Sequence, residues 1–126
     1  MIVPALLLAL LLLQSAPCMG VDALALTKRV VDGDTIVVEV LEVYKEGFKG
    51  YEGVEVRVRL ADINAPELGT VEGRRSLEAL RGLVEGRTVY LDIDDVDVTD
   101  RYGRLVAVVY VGFNETHLLN VNKWLL

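Results

Sequence analysis

Three short segments concentrate the groups that phosphoryl chemistry uses: Val31-Asp32-Gly33-Asp34-Thr35, Val58-Arg59-Leu60-Ala61-Asp62-Ile63-Asn64-Ala65-Pro66-Glu67 and Thr99-Asp100-Arg101-Tyr102-Gly103-Arg104. They supply carboxylates that can hold a divalent cation, a candidate general base and two guanidinium groups. Breaking a phosphodiester builds negative charge around phosphorus and needs that mixture at one point in space. Arg59, Asn64 and Glu67 fall within nine residues of one another, and Arg104 opens a second apolar run. Asp34 follows a glycine at a bend, where a tight turn exposes its carboxylate. Asn64 and Glu67 flank a proline-fixed turn. Oxygen donors from two loops suit calcium, which takes carboxylate, amide and backbone oxygens alike. Each segment alone has a plainer reading: Asp-Gly-Asp as an ordinary turn, Arg59 as a solvated strand residue, Tyr102-Gly103 as a turn into the next strand. The set, not any member, points to chemistry.

The elements that would carry these segments are mostly strands. Apolar β-branched residues surround the Asp32-Gly33-Asp34 bend, predicting one strand near Leu24 to Val31 and another from Thr35 to Val43. Tyr44 to Gly53, with three glycines, reads as a hairpin loop. Val54 to Leu60 alternates, with Val54, Val56, Val58 and Leu60 on one face and Glu55, Arg57 and Arg59 on the other. Pro66 ends the pairing. Leu77, Leu80, Leu83 and Val84 recur at helical spacing, so a helix is predicted over Val71 to Val84, stopped by Gly86. Thr88 to Ile93 and Leu105 to Val111 complete five strands, and His117 to Leu126 reads as the opening of a final helix. Five strands with a helix between the third and fourth, in a chain that must close or cover its sheet edges, predict a mainly β, α+β domain: an OB-fold five-stranded barrel with a short C-terminal helix.

A length of 126 residues supports one domain. Met1 to Val21 carries no charge, and Pro4 to Leu13 is almost entirely Leu and Ala. Residues 1–20 are expected to be a signal peptide or an N-terminal membrane anchor, with the domain over 21–126. The dense apolar block is short for a membrane span, which needs about 20 residues, so a secreted or cell-surface protein cut near Gly20 is the favoured reading. No Lys or Arg precedes the block. Cys18, the one cysteine, falls in this leader, and Pro17 argues against lipid attachment there. The formal net charge of −6 excludes a protein that coats nucleic acid with a general basic surface, but not one with a local basic cleft. Nine of the thirteen basic residues are Arg, which suits bidentate phosphate contact.

Together the three segments, their spacing and the intervening helix resemble the staphylococcal-nuclease-like (thermonuclease) family, from about Leu24 to the C-terminus. The resemblance implies an OB barrel with helices and calcium-dependent cleavage of DNA or RNA, by a protein expected to be a monomer. It implies Asp34, Asn64 and the Ala65 carbonyl as metal ligands and Glu67 as general base. Arg59 and Arg104 would hold the phosphate and stabilise its charge, with Arg101 and Tyr102 near the substrate phosphate. Asn64 stands where the family usually has a second ligand aspartate, so weaker calcium binding is expected. Asp62, two residues earlier, would share a face with Asn64 if the segment were extended and so supply the missing charge. The family's C-terminal helix runs further than Lys123-Trp124-Leu125-Leu126, so marginal stability is expected.

The remaining residues carry plainer expectations. His117 is read as a surface residue, Trp124 as core packing and the acids from Asp92 to Asp100 as a solvated loop. Asn114-Glu115-Thr116 matches a glycosylation acceptor, relevant only in a glycosylating pathway. Two other readings stay open: an OB-fold module that binds nucleic acid without cutting it, and a membrane-tethered adaptor.

Overall fold

The computed structural model describes residues 20–112, 114 and 117–126. The leader expectation lies outside these residues, as does most of the Asn114-Glu115-Thr116 pattern. Strands β1 (Ala23–Asp32) and β2 (Thr35–Val43) form a hairpin through a two-residue turn, and β2 continues antiparallel to β3 (Glu55–Leu60). Helix α1 (Val71–Val84) follows, then β4 (Thr88–Ile93) and β5 (Leu105–Gly112). β4 pairs antiparallel with both β1 and β5, and β5 returns parallel to β3. That last pairing closes the five-strand barrel expected from the sequence, so each of its strands has a neighbour on both sides.

The residues that alternate inward in β1 to β5 fill the barrel. Ile36, Val58, Leu60, Leu91, Leu105 and Val109 have no more than trace exposure. Leu80 and Val84 of α1 join them, while Leu77 and Leu83 are only partly buried. The helix spans the predicted residues. Thr70 caps its start by accepting the Gly73 N–H (3.0 Å), and Gly86 leaves it with a positive φ of 75°.

Two expectations about the periphery change. His117 to Leu126 is not one helix: Leu118–Asn120 forms a short strand, β6, on β5, and only Val121–Leu125 is helical (α2). Asn120 and Asn122 explain the break. Asn120 caps the new helix by accepting the Lys123 N–H (2.9 Å). Asn122 is buried and ties α2 to the seam between β3 and β5. Its side-chain amide donates to the Ala61 and Ala107 carbonyls, and its oxygen accepts the Val109 N–H. A buried amide with its polar groups satisfied outweighs simple helical periodicity. Trp124, expected in the core, is 58% exposed because the inward positions of this single turn go to Val121 and Asn122. Among the described residues, no helix is long and apolar enough to cross a membrane.

Candidate functional site

The closing seam decides where the chemistry falls. Thr35 at the start of β2 pairs with Arg59 near the end of β3, and Arg59 pairs on its other side with Val106 of β5. Arg104, two residues before Val106, therefore lies at the same barrel corner as the Gly33-Asp34 turn. Segments 45 residues apart in sequence meet there because a parallel pairing brings the end of β3 beside the start of β5.

At this corner the Asp34 carboxylate is the hub. One oxygen accepts the Thr35 hydroxyl (2.9 Å); the other accepts the Ala65 N–H (3.2 Å) and lies 3.8 Å from Arg59 Nη2. The same Nη2 donates to Asn64 Oδ1 (2.9 Å), and Nη1 donates to the Leu60 carbonyl (2.7 Å). Arg104 Nη1 donates to Thr35 Oγ1 (2.9 Å), so a single hydroxyl links the second guanidinium to Asp34. Asp100 holds Arg104 from behind: one oxygen accepts its Nε (2.7 Å), and the other accepts the backbone N–H of Tyr102 and Arg104. Arg101 and Arg104 both lie over the exposed Tyr102 ring, at 4.9 and 5.3 Å from its centroid. Both arginines are thus pre-positioned by bonds that leave donors unspent.

Charge follows this geometry. Burial works to raise the Asp34 pKa. Hydrogen bonds from Asp32, the Ala65 N–H and the Thr35 hydroxyl, with the Arg59 charge, outweigh it and hold Asp34 below the ordinary aspartate value. Asp32 is pushed the other way, by burial and then by the neighbouring Asp34. Asp100 is held low because the N–H groups and guanidinium of Arg104 and the Tyr102 N–H outweigh its burial.

Glu67 follows on the turn two residues after Ala65. Its backbone is pinned: the Thr70 hydroxyl donates to the Glu67 carbonyl (2.6 Å), and that carbonyl packs so closely on Gly73 that any Cβ there would collide with it. Its carboxylate is exposed and makes no hydrogen bond or ion pair with described residues. Gly33 owes its identity to crowding as well. A Cβ at this position would stand 2.6 Å from the Ser76 Cβ and 2.8 Å from the Ala65 Cβ, so the absence of a side chain lets α1 and the Ala65 turn close on Asp34.

The bonds above bring Asp34, Arg59, Asn64, Ala65 and Arg104 together, with Arg101 and Tyr102 beside Arg104; Glu67, two residues after Ala65, makes no hydrogen bond or ion pair with any of them. Asp62 departs from expectation. The segment turns instead of extending, with Asp62 at φ 63°, so it does not share a strand face with Asn64. It lines an open groove of about 510 Å³ with Arg59, Asn64, Asp100 and Arg101. Thr35, Asp100, Thr70 and Gly73 were given no role from the sequence, yet they orient the functional groups. The available sign was their position, one to six residues from a functional side chain.

The oxygen donors suit a hard cation in type. Asp34 and Asn64 converge on one guanidinium nitrogen, which marks a point of negative potential, and the Ala65 peptide adjoins it. Among the described residues, no three His, Cys, Asp or Glu side chains gather to hold a metal. Such a cation would therefore depend on amide and carbonyl oxygens and on water.

A closed five-strand barrel with two arginines and a carboxylate at one seam defines an OB-type domain with an anion-handling corner. Residues 57–126, more than half of the chain, match the family described as staphylococcal nuclease homologue, and the chain belongs to that family. It is 36% identical over 118 residues to a protein named micrococcal nuclease from Shigella flexneri, covering 90% of this chain and 59% of that one. It is 35% identical over 115 residues to an uncharacterized endonuclease of Escherichia coli O157:H7 (91% and 63%). Over 83 residues it is 43% identical to protein ParB of Escherichia coli (66% and 39%). The chain spans less than two thirds of the length of each of these relatives.

Proposed function

We propose that this domain is a calcium-dependent nuclease that hydrolyses phosphodiester bonds of DNA, RNA or both. The observation that carries this reading is the convergence of Arg59 and Arg104 on the Asp34–Thr35 pair, with the unpaired Glu67 carboxylate on the adjoining turn. Arg59 and Arg104 bind the phosphoryl oxygens and stabilise the charge that grows on them during attack. Glu67 accepts a proton from the attacking water, a role that needs a carboxylate not already engaged in a bond. Asp34, Asn64 and the Ala65 carbonyl would hold calcium, which when bound supplies charge neutralisation at the phosphate. Arg101 borders the groove, Tyr102 carries its ring beneath Arg101 and Arg104, and the two position the strand. Names of relatives that include nuclease and endonuclease support the same reaction class.

The apolar leader, residues 1–20, carries the domain to the secretory route or holds it at a membrane, and the domain acts there as a monomer. Incubation of the protein with single-stranded DNA or RNA, in calcium or in chelator, tests the reaction. Fragments in calcium only, lost in Glu67→Gln, are expected. Tight binding of the strand without fragments would instead mark a binding module, the reading that Asn64 in place of a second carboxylate would favour.

A further inference from the structure

The outer face of the barrel carries a second basic row beside the corner. In register, Asp32, Thr35 and Arg59 form one outward row across β1, β2 and β3, and Arg29, Val37 and Arg57 form the next outward row. A bulge at Lys28 makes this possible, because the register of β1 shifts between Thr27 and Arg29 and turns Arg29 outward opposite Val37. Extended by one step, the parallel register of β3 and β5 also sets Arg57 beside Arg104. Arg29 and Arg57 are both exposed and make no ion pair with described residues. Val37 between them is only 3% exposed although its register faces it outward, so the neighbouring side chains of this face cover it. In a chain of net charge −6, two unpaired guanidinium groups bracketing a covered valine are a local reversal of sign. The following outward row ends it: Glu39 pairs with Glu55, and Lys28 is engaged with Glu39 at 3.4 Å.

We infer that Arg29 and Arg57 form a second phosphate subsite, which holds the phosphate one nucleotide away from the scissile ester. The inference rests on the nuclease reading above for the nature of the ligand. Alternate residues on one face of a strand lie about 6.8 Å apart, a step that suits adjacent phosphates of one extended strand. Two guanidinium groups around a single phosphate give charge-assisted contact without reading a base. The acidic row of Glu39 and Glu55 repels the next phosphate, so the subsite spans one nucleotide and no more.

The test uses the full chain and fluorescein-labelled tetradeoxynucleotides in which one linkage at a time is an uncharged methylphosphonate. Affinity is read by anisotropy in chelator, and fragments are read separately in calcium. The parent protein is expected to lose about fivefold in affinity when one linkage neighbouring the scissile ester is neutral. In the Arg29→Gln/Arg57→Gln variant, affinity for the all-phosphate strand falls by a similar factor, and the same neutral linkage costs nothing further. Its slope of log affinity against log salt falls by about 0.7, the share of one phosphate on a single strand. Arg29→Lys/Arg57→Lys restores most of the salt slope, whereas Arg74→Gln/Arg75→Gln on α1 leaves the linkage profile unchanged. The inference is overturned if the Gln variant, with an unshifted melting temperature, responds to every neutral linkage as the parent does, or if the parent binds no strand. Binding without fragments removes the nuclease reading and leaves the subsite standing. Fragments with an unaltered linkage profile do the reverse.

Discussion

Two acidic regions border the barrel, and the same residue type does different work in each. At the β1–β2 corner the Asp34 oxygens point at groups from three other elements, and two arginines supply the opposite charge. In the β4–β5 loop, Asp94 turns its carboxylate onto its own backbone, accepting the Val96 and Asp97 N–H groups at 2.8 Å. Among the described residues Asp95 pairs only with Lys45, with both side chains largely in water. Asp92 is pushed upward by burial and then by Asp22 and Asp95. The Asp94 oxygen that satisfies this turn is spent locally and fixes no partner from another element. Carboxylates held by long-range partners keep a fixed direction toward a ligand. Density of acid is thus a poor guide to a site, and the convergence of opposite charge a better one.

The largest effects that would test this contrast are at the arginines. Arg59→Ala or Arg104→Ala is expected to slow cleavage roughly a hundredfold or more, with the fold retained and the melting temperature lowered by only a few degrees, more for Arg104 because it loses its bonds to Thr35 and Asp100. Near-normal turnover of oligonucleotide in either variant would end the assignment of the corner. Next comes the pair Asp34→Asn and Asp94→Asn. The first is expected to raise the calcium needed for half-maximal cleavage by about tenfold or more, the second by less than about twofold. Equal shifts would make the two acidic regions equivalent.

A smaller effect is expected from Thr35→Val, which keeps shape but removes the hydroxyl between Asp34 and Arg104. Its stability should fall by about 1 kcal/mol, and kcat should fall with KM little changed. In the opposite sense, Asn64→Asp should tighten calcium binding by about threefold, since affinity follows ligand charge. A calorimetric titration that shows no gain would remove Asn64 from the donor set.

The smallest effect concerns pH. Asp100 is held below its ordinary value of 3.8, so its contribution to stability is full above that pH and fades as pH falls through the depressed native value. Acid unfolding of Asp100→Asn should therefore show a shallower loss of stability below pH 3.8 than the parent protein does. Parallel acid limbs would mean that Asp100 and Arg104 are not paired in solution.

Much of this architecture was readable beforehand, because burial imposes local periods. Val54 to Leu60 alternates because one face of β3 fills the barrel. Only its first residue misleads: Val54 lies before the strand and is exposed. Leu80 and Val84, four apart, required a helix with one buried side. The C-terminal segment was misread because its deciding residue, Asn122, is polar, and its partners on Ala61, Ala107 and Val109 are far away in sequence. Asp62 was misjudged because a left-handed residue breaks the face that an extended segment would have kept.

The sequence by itself determined which residues are apolar at what spacing, and hence the strands, the helix and the chemical inventory of Asp34, Arg59, Asn64, Glu67 and Arg104. Tertiary structure alone decided that Asp34, Arg59, Asn64 and Arg104 share a corner, that Thr35 and Asp100 aim Arg104, and that Gly33 and Gly73 must lack side chains. Those outcomes depend on closure between β3 and β5 and on the docking of α1. Such contacts join residues far apart along the chain, and no local pattern encodes the distance across which they meet.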